Sequence, residues 1–204
     1  MLQTGRNSIE TDKFTLARLD GEKDFCCTES FDCGLDDLNE FFREDSLPHK
    51  KQLLAETYYL QPIELTKAGH IFPVAFVSFL NDSLHIERDE RKTYKKSFWK
   101  YLKKSMPYPK RNYESFPAVK IGRLGVLSDY ARLGLGTYLM NMTKDLFLTD
   151  NRTGCRFITV DAYNEPNVIK FYQKNGFDFL WDQDNNEKTR IMYFDLIRHQ
   201  KAFA

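Results

Sequence analysis

A chain of 204 residues with 42% apolar and 15% aromatic content can bury one sizeable core and is short for two full domains. Its 29% charged residues, 17 Phe and 11 Tyr exclude a disordered or collagen-like polymer. The polar start and a longest apolar run of only 71–80 point to a cytoplasmic protein with neither secretion signal nor membrane span. The formal charge of +1 is unevenly spread: segment 88–111 holds ten basic and two acidic residues, a local +8 that leaves −7 for the rest.

The first predicted element is a strand over 14–19. A helix over 35–46 follows, with Leu35, Leu38, Phe41 and Phe42 on one face and Pro48 as its stop. Strands are expected at 56–62 and 73–80, the second apolar enough to be covered on both sides. In the basic segment Tyr94, Phe98, Tyr101 and Leu102 form one apolar stripe on a cationic helix that Pro107 and Pro109 end. A strand over 117–127 leads into a helix over 134–148 whose buried face is Leu135, Leu139, Met142 and Leu146. A strand at 156–162, a helix at 167–175 and strands at 177–181 and 190–196 complete an α/β or α+β sheet covered by helices. No repeat or linker divides the chain, so a single domain over 1–204 is expected.

Cys26, Cys27, Cys33 and Cys155 lack the paired spacing and neighbouring histidines of a zinc site. They read as reduced, small apolar side chains, and no metal is expected.

The chemistry concentrates in 126–140, where an apolar strand passes through a polar turn into an amphipathic helix. Gly134 and Gly136 let backbone approach a ligand closely, and the first amides of a helix have no internal partner. Those donors and the helix dipole suit a phosphate; on its own the same GxG also suits a tight turn with close packing. A triphosphatase loop, GxxxxGK[ST], is absent, and GxGxxG fails because residue 139 is Leu.

RLGVLSDYARLGLGTYLM, residues 123–140, resembles motif A of the GNAT superfamily of N-acetyltransferases, and DAYNEPNVIKFYQKNGF, residues 161–177, resembles its motif B. The resemblance implies a mixed, mostly antiparallel twisted sheet with helices on both faces and acetyl-CoA, the co-substrate, bound where the central strands splay. It implies that the amides of Arg132, Leu133, Gly134, Leu135, Gly136 and Thr137 hold the pyrophosphate. Ala131 stands where the family has Gln or Arg; the amides remain, and Arg132 supplies a charge beside them. Leu124, Gly125 and Val126 would line the pantetheine, the Val126 amide polarising the thioester carbonyl. Phe171 and Tyr172 fall where the family places a tyrosine near the sulfur; a phenol of reference pKa about 10 is protonated at neutral pH and can protonate a departing thiolate. Asn164 is a further cofactor candidate, eight residues before Tyr172, with Glu165 and Asn167 as alternatives.

No general base is legible; Glu56, His70, His85 and Glu87 qualify by residue type alone. A site without a strong base favours an α-amine, reference pKa about 7.7 to 8.0, over a lysine at about 10.4. The 30–42 stretch SFDCGLDDLNEFF, with ETYYL at 56–60, MPYP at 106–109 and KIGRLGV at 120–126, resembles the GNAT branch containing toxins of bacterial toxin and antitoxin pairs. That resemblance implies aminoacyl-tRNA as acceptor, a homodimer and an antitoxin partner. The basic segment suits phosphate contacts, with Tyr94, Phe98, Trp99 and Tyr101 for base stacking, unless those aromatics face the core. A small-molecule or protein amine as acceptor, and a non-catalytic acyl-CoA-binding regulator, are the alternatives.

Overall fold

The structure is a computed structural model of the chain, and it describes residues 11–21, 28–67, 69–85, 98, 102, 104, 115–149, 153–181 and 183–200. Seven strands, β1 (Phe14–Arg18), β2 (Glu56–Pro62), β3 (Ala75–His85), β4 (Ser115–Val126), β5 (Phe157–Tyr163), β6 (Asp178–Phe179) and β7 (Thr189–Asp195), form one mixed sheet in the order β1-β2-β3-β4-β5-β7-β6. The pairs β1/β2, β2/β3, β5/β7 and β6/β7 are antiparallel. The helices, in chain order, are α1 (Asp36–Glu40), α2 (Ser46–Lys51), α3 (Ile63–Lys67), α4 (Leu135–Thr149), α5 (Pro166–Lys174) and α6 (Leu196–Gln200). None of the described helices is long and apolar enough to cross a membrane. The backbone groups into two compact units, Met1–Leu80 with Ile121–Leu146 and Asn81–Lys120 with Phe147–Ala204.

The first unit is held by rings. Phe42 stacks on Phe76 with centroids 4.2 Å apart, and Phe31 meets both edge-on at 4.9 and 5.3 Å; Leu19, Leu38, Phe41 and Tyr59 complete the cluster. Such buried aromatics carry large apolar areas plus about 0.5–1.5 kcal/mol per well-placed pair. Leu35, expected on this face, is half exposed, because it is the extended N-cap of α1 and the helical phase starts only after it. Pro48 does not stop the helix. A wide π-type turn at Phe41–Asp45 precedes α2, and Pro48 sits as the third residue of α2. The wider turn gives the ring room against the preceding turn, so helical backbone runs on past the proline. The buried face of α4 comprises Leu135, Leu139, Met140, Thr143 and Lys144, while Met142 and Leu146 are half-buried. The helix is therefore rotated from the expected stripe toward positions 140 and 144, and desolvation lowers the pKa of Lys144.

The helix end after α2 carries a local cost. Leu53 donates to the Lys50 carbonyl and Leu54 to that of His49, both at 2.9 Å, a Schellman arrangement that wants glycine at its left-handed position. Leu53 holds that position at φ 59° with its side chain 90% exposed. Left-handed backbone costs a side-chain-bearing residue about 1–2 kcal/mol, and glycine gives back about 0.4–1 kcal/mol through a looser unfolded chain. Leu53→Gly is therefore expected to raise the thermal midpoint by about 2 °C; a lower midpoint in a melt would show that the exposed side chain stabilises the fold.

In the second unit Phe98 and Leu102 are buried with Leu84, Phe116, Ala118, Phe157, Leu180 and Tyr193, Phe98 meeting Tyr193 edge-on at 4.9 Å. These two residues of the basic segment thus face the core, and Phe98 is not available to stack on a base. Lys104 is exposed. The rest of 88–111, including Tyr94, Trp99 and Tyr101, lies outside the described residues, as do Cys26, Cys27, Glu87 and the side chain of His85. Cys33 and Cys155 are free thiols.

Candidate functional site

In the first unit β4 brings Leu124, Gly125 and Val126 to its end, half-buried, buried and half-buried. Gly122 and Gly125 are three apart, an odd spacing that regular pleating sends to opposite faces. Yet a Cβ on Gly122 would strike the Leu80 side chain, and one on Gly125 would come within 2.7 Å of the Phe76 ring. Phe76 and Leu80 are four apart on β3, so the two strands are not both regularly pleated over this stretch. Leu127 then donates to the Val74 carbonyl at 2.9 Å, which anchors the strand end.

Beyond it the chain makes a single 3-10 turn at Ser128–Tyr130, passes extended through Ala131 and enters α4. Arg132 at φ 63° and Gly134 at φ 98° are left-handed. The Gly134 carbonyl accepts from Tyr138, so the helical ladder starts there. Among the described residues no acceptor faces the amides of Arg132, Leu133, Gly134, Leu135, Gly136 or Thr137. Six consecutive free donors, with left-handed residues interposed and a helix N-terminus beneath them, form a concavity suited to an anion. A charge there gains about 0.3–1 kcal/mol from the helix, up to about 2 when partly buried. The exposed Arg132 side chain can add a bidentate contact.

In the second unit Pro166 opens α5, where its missing N–H costs nothing, and Tyr172 is buried on that helix. Its ring meets Phe171 and Phe177 edge-on at 5.1 and 5.3 Å. Burial raises the phenol above its ordinary pKa, and among the described residues no hydrogen-bond partner is found for its hydroxyl. Phe171 is half-buried. The side-chain amide of Asn164 donates to the carbonyls of Asn185 and Glu187 at 2.8 and 3.0 Å, so this residue clamps the turn before β7 and leaves only its Oδ1 for another contact. Glu165 stands at the N-cap position of α5 without a side-chain capping bond, and it and Asn167 are exposed. Of the base candidates, Glu56 accepts a hydrogen bond from Lys50 at 2.9 Å, and His70 is exposed.

Residues 106–178 match the family description "Acetyltransferase (GNAT) domain". A search of curated protein sequences found no match. Among solved structures, the chain is similar to a Tyr-to-Phe variant of KacT at 19% identity and a TM-score of 0.69, covering 93% of this chain and 99% of that one. It is similar to AtaT complexed with acetyl-methionyl-tRNAfMet at 19% identity and a TM-score of 0.67, over 94% and 99%. A third is a Tyr-to-Phe variant of the AtaT toxin bound to the C-terminus of the antitoxin AtaR and acetyl-CoA, at 17% identity and a TM-score of 0.65, over 95% and 99%. At these identities the likeness is one of fold.

Proposed function

We propose that this chain, which carries a GNAT acetyltransferase domain, transfers an acetyl group from acetyl-CoA directly to the α-amino group of an aminoacyl-tRNA, with no covalent enzyme intermediate. The observation that carries the reading is the run of six free amides at 132–137 on the N-terminus of α4. In this reading those amides and Arg132 hold the pyrophosphate. Leu124, Gly125 and Val126 lie along the pantetheine, and the Val126 amide donates to the thioester oxygen as charge develops there. Acetyl-CoA supplies the activated acyl group. The amine nitrogen bonds to the carbonyl carbon as the carbon–sulfur bond breaks, Tyr172 gives its proton to the departing sulfur, and the proton the nitrogen sheds restores the phenol through solvent.

The acceptor rests on two supports. AtaT, a neighbour in fold, is seen with acetyl-methionyl-tRNAfMet, and segment 88–111 carries a local charge of +8 suited to a phosphate backbone. By the same likeness we propose an antitoxin partner, since the AtaT variant is bound to a segment of AtaR; a cytoplasmic homodimer remains part of the proposal on the sequence resemblance alone. Thiol release measured with charged tRNA, uncharged tRNA and free amino acids tests the assignment. Turnover only on the charged tRNA is expected. Acetyl-CoA binding with no turnover on any amine would make the chain a regulator instead.

If the basic segment meets phosphates, reversing Lys95, Lys96 and Lys103 to Glu is expected to raise the KM for charged tRNA at least about tenfold and to flatten its salt dependence by about one logarithmic unit per lost contact. The KM for acetyl-CoA stays unchanged. Identical tRNA kinetics in the triple variant would assign that face to solvent.

A further inference from the structure

The loop between Phe31 and α1 touches the acetyl-CoA strand and turn at two places. The carbonyl of Asp32 accepts from both the amide and the hydroxyl of Ser128, at 2.8 and 2.9 Å, where the 3-10 turn toward the free amides begins. One residue on, Cys33 packs beside Gly125, its sulfur 3.4 Å from where a Cβ would stand. The loop therefore braces both ends of the stretch from Gly125 to Ser128.

The shape of the loop is set from within by Asn39. This carboxamide is 6% exposed, and its two ends are committed: Nδ2 donates to Asp32 Oδ1 at 2.8 Å, and Oδ1 accepts from the Cys33 amide at 2.9 Å. Gly34, left-handed at φ 80°, donates to the same Asp32 oxygen at 2.8 Å. These donors hold the Asp32 carboxyl below its ordinary pKa, the Gly34 amide first and Asn39 next. Asn39 rides on a seated element, because Leu38 beside it and Phe41 just beyond α1 are in the core and the Arg43 guanidinium donates to the Phe31 carbonyl. Apolar contacts thus seat α1, while the polar relay gives the loop one arrangement among several of similar packing.

We infer that Asn39 is a positioning residue for acetyl-CoA, fixing through the Asp32 loop the placement of Gly125 and Ser128 and hence of the amides that follow. The inference rests on the proposal that acetyl-CoA occupies the 132–137 turn. It concerns binding geometry and not the fold as such, so its signature is a shift in acetyl-CoA affinity with little change in turnover.

The test is calorimetric titration of acetyl-CoA together with steady-state kinetics and thermal melts on Asn39→Asp, Ser128→Ala and the exchange Asp32→Asn with Asn39→Asp. Asn39→Asp sets two carboxylates against each other and is expected to raise the Kd and KM for acetyl-CoA at least about fivefold, with kcat within about twofold, as loss of one charge-assisted hydrogen bond predicts. Ser128→Ala, which keeps its amide bond to Asp32, is expected to show a smaller rise of about twofold. The exchange variant restores one carboxylate and one amide and should recover most of the affinity. A folded Asn39→Asp with wild-type Kd, or one that loses kcat with Kd intact, overturns the inference. If Asn39→Asp does not fold, an unchanged Kd in Ser128→Ala overturns it. Failure of wild type to bind acetyl-CoA would instead overturn the reading of the turn, and binding without transfer to charged tRNA would overturn only the acceptor.

Discussion

Tyr172→Phe is expected to lower kcat by about 10² to 10³-fold, the usual contribution of a positioned proton donor, while the Kd for acetyl-CoA changes less than about twofold. The substitution removes one oxygen and keeps the ring that meets Phe171 and Phe177, so packing survives. Burial raises the phenol pKa, because desolvation disfavours the phenolate. The proton is therefore in place throughout the neutral range. Raising the donor's pKa would weaken it as an acid if the acceptor stayed in water, but burial acts on thiols in the same direction: it pushes the Cys155 thiol of this chain up to about 11. The pH dependence has a definite sign. Activity on an α-amine should climb as the amine deprotonates, near a reference pKa of about 7.7–8.0, and Tyr172 should cause no decline below about pH 10, its unperturbed value. Because the folded pKa is raised, its contribution to stability is complete below the unfolded pKa and falls only as pH climbs beyond it. Thiol release against pH on both proteins checks this. An unchanged rate in the variant would remove Tyr172 from the mechanism, and a wild-type decline near pH 8 would point to a more acidic donor.

The parts of the fold that were legible are those whose signal is local. The bounds expected for the strand at Glu56–Pro62 are those observed, since a short run rich in Tyr, Thr and Leu that a proline closes reads as a strand from local composition. The strand–turn–helix over 117–148 was legible because apolar strand, glycine spacing and helix start all lie within one short stretch. Failures came where a partner far along the chain decides. Expected to end at residue 80, β3 continues through Asn81, Asp82 and Ser83 to His85; the Asp82 carboxylate accepts the Thr159 hydroxyl, a partner no local pattern announces. The Ser128–Asp32 contact spans 96 residues, so Asp32 and Asn39 read only as part of a family pattern, with no visible task. Pro48 misled because a proline ends a regular helix, and the π-type turn before it has no sequence signature of its own. The aromatics of the basic segment could be read either way from periodicity, and at Phe98 and Leu102 the core reading holds.

Gly136→Asp is expected to raise the Kd for acetyl-CoA at least about 100-fold, about 2.7 kcal/mol, while leaving the thermal midpoint unchanged or higher. The two effects have opposite signs for one reason. A carboxylate in the first turn of α4 meets the same free amides and dipole that the pyrophosphate would meet, so it stabilises the helix by about 0.3–1 kcal/mol. Exchanging glycine for Asp inside a helix adds a few tenths of a kcal/mol more. The side chain then occupies and neutralises the donors, and a second anion arriving there faces both the lost hydrogen bonds, about 1.5–3 kcal/mol for those to a charged group, and like-charge repulsion. A variant that is less stable and binds weakly would show only that Gly136 is needed for the fold. One that melts normally and no longer binds acetyl-CoA, with CoA affected equally because it carries the same pyrophosphate, places the ligand on the amides. Wild-type affinity in a folded Gly136→Asp protein would mean that the free donors of 132–137 serve no phosphate, and the reading built on them would fail.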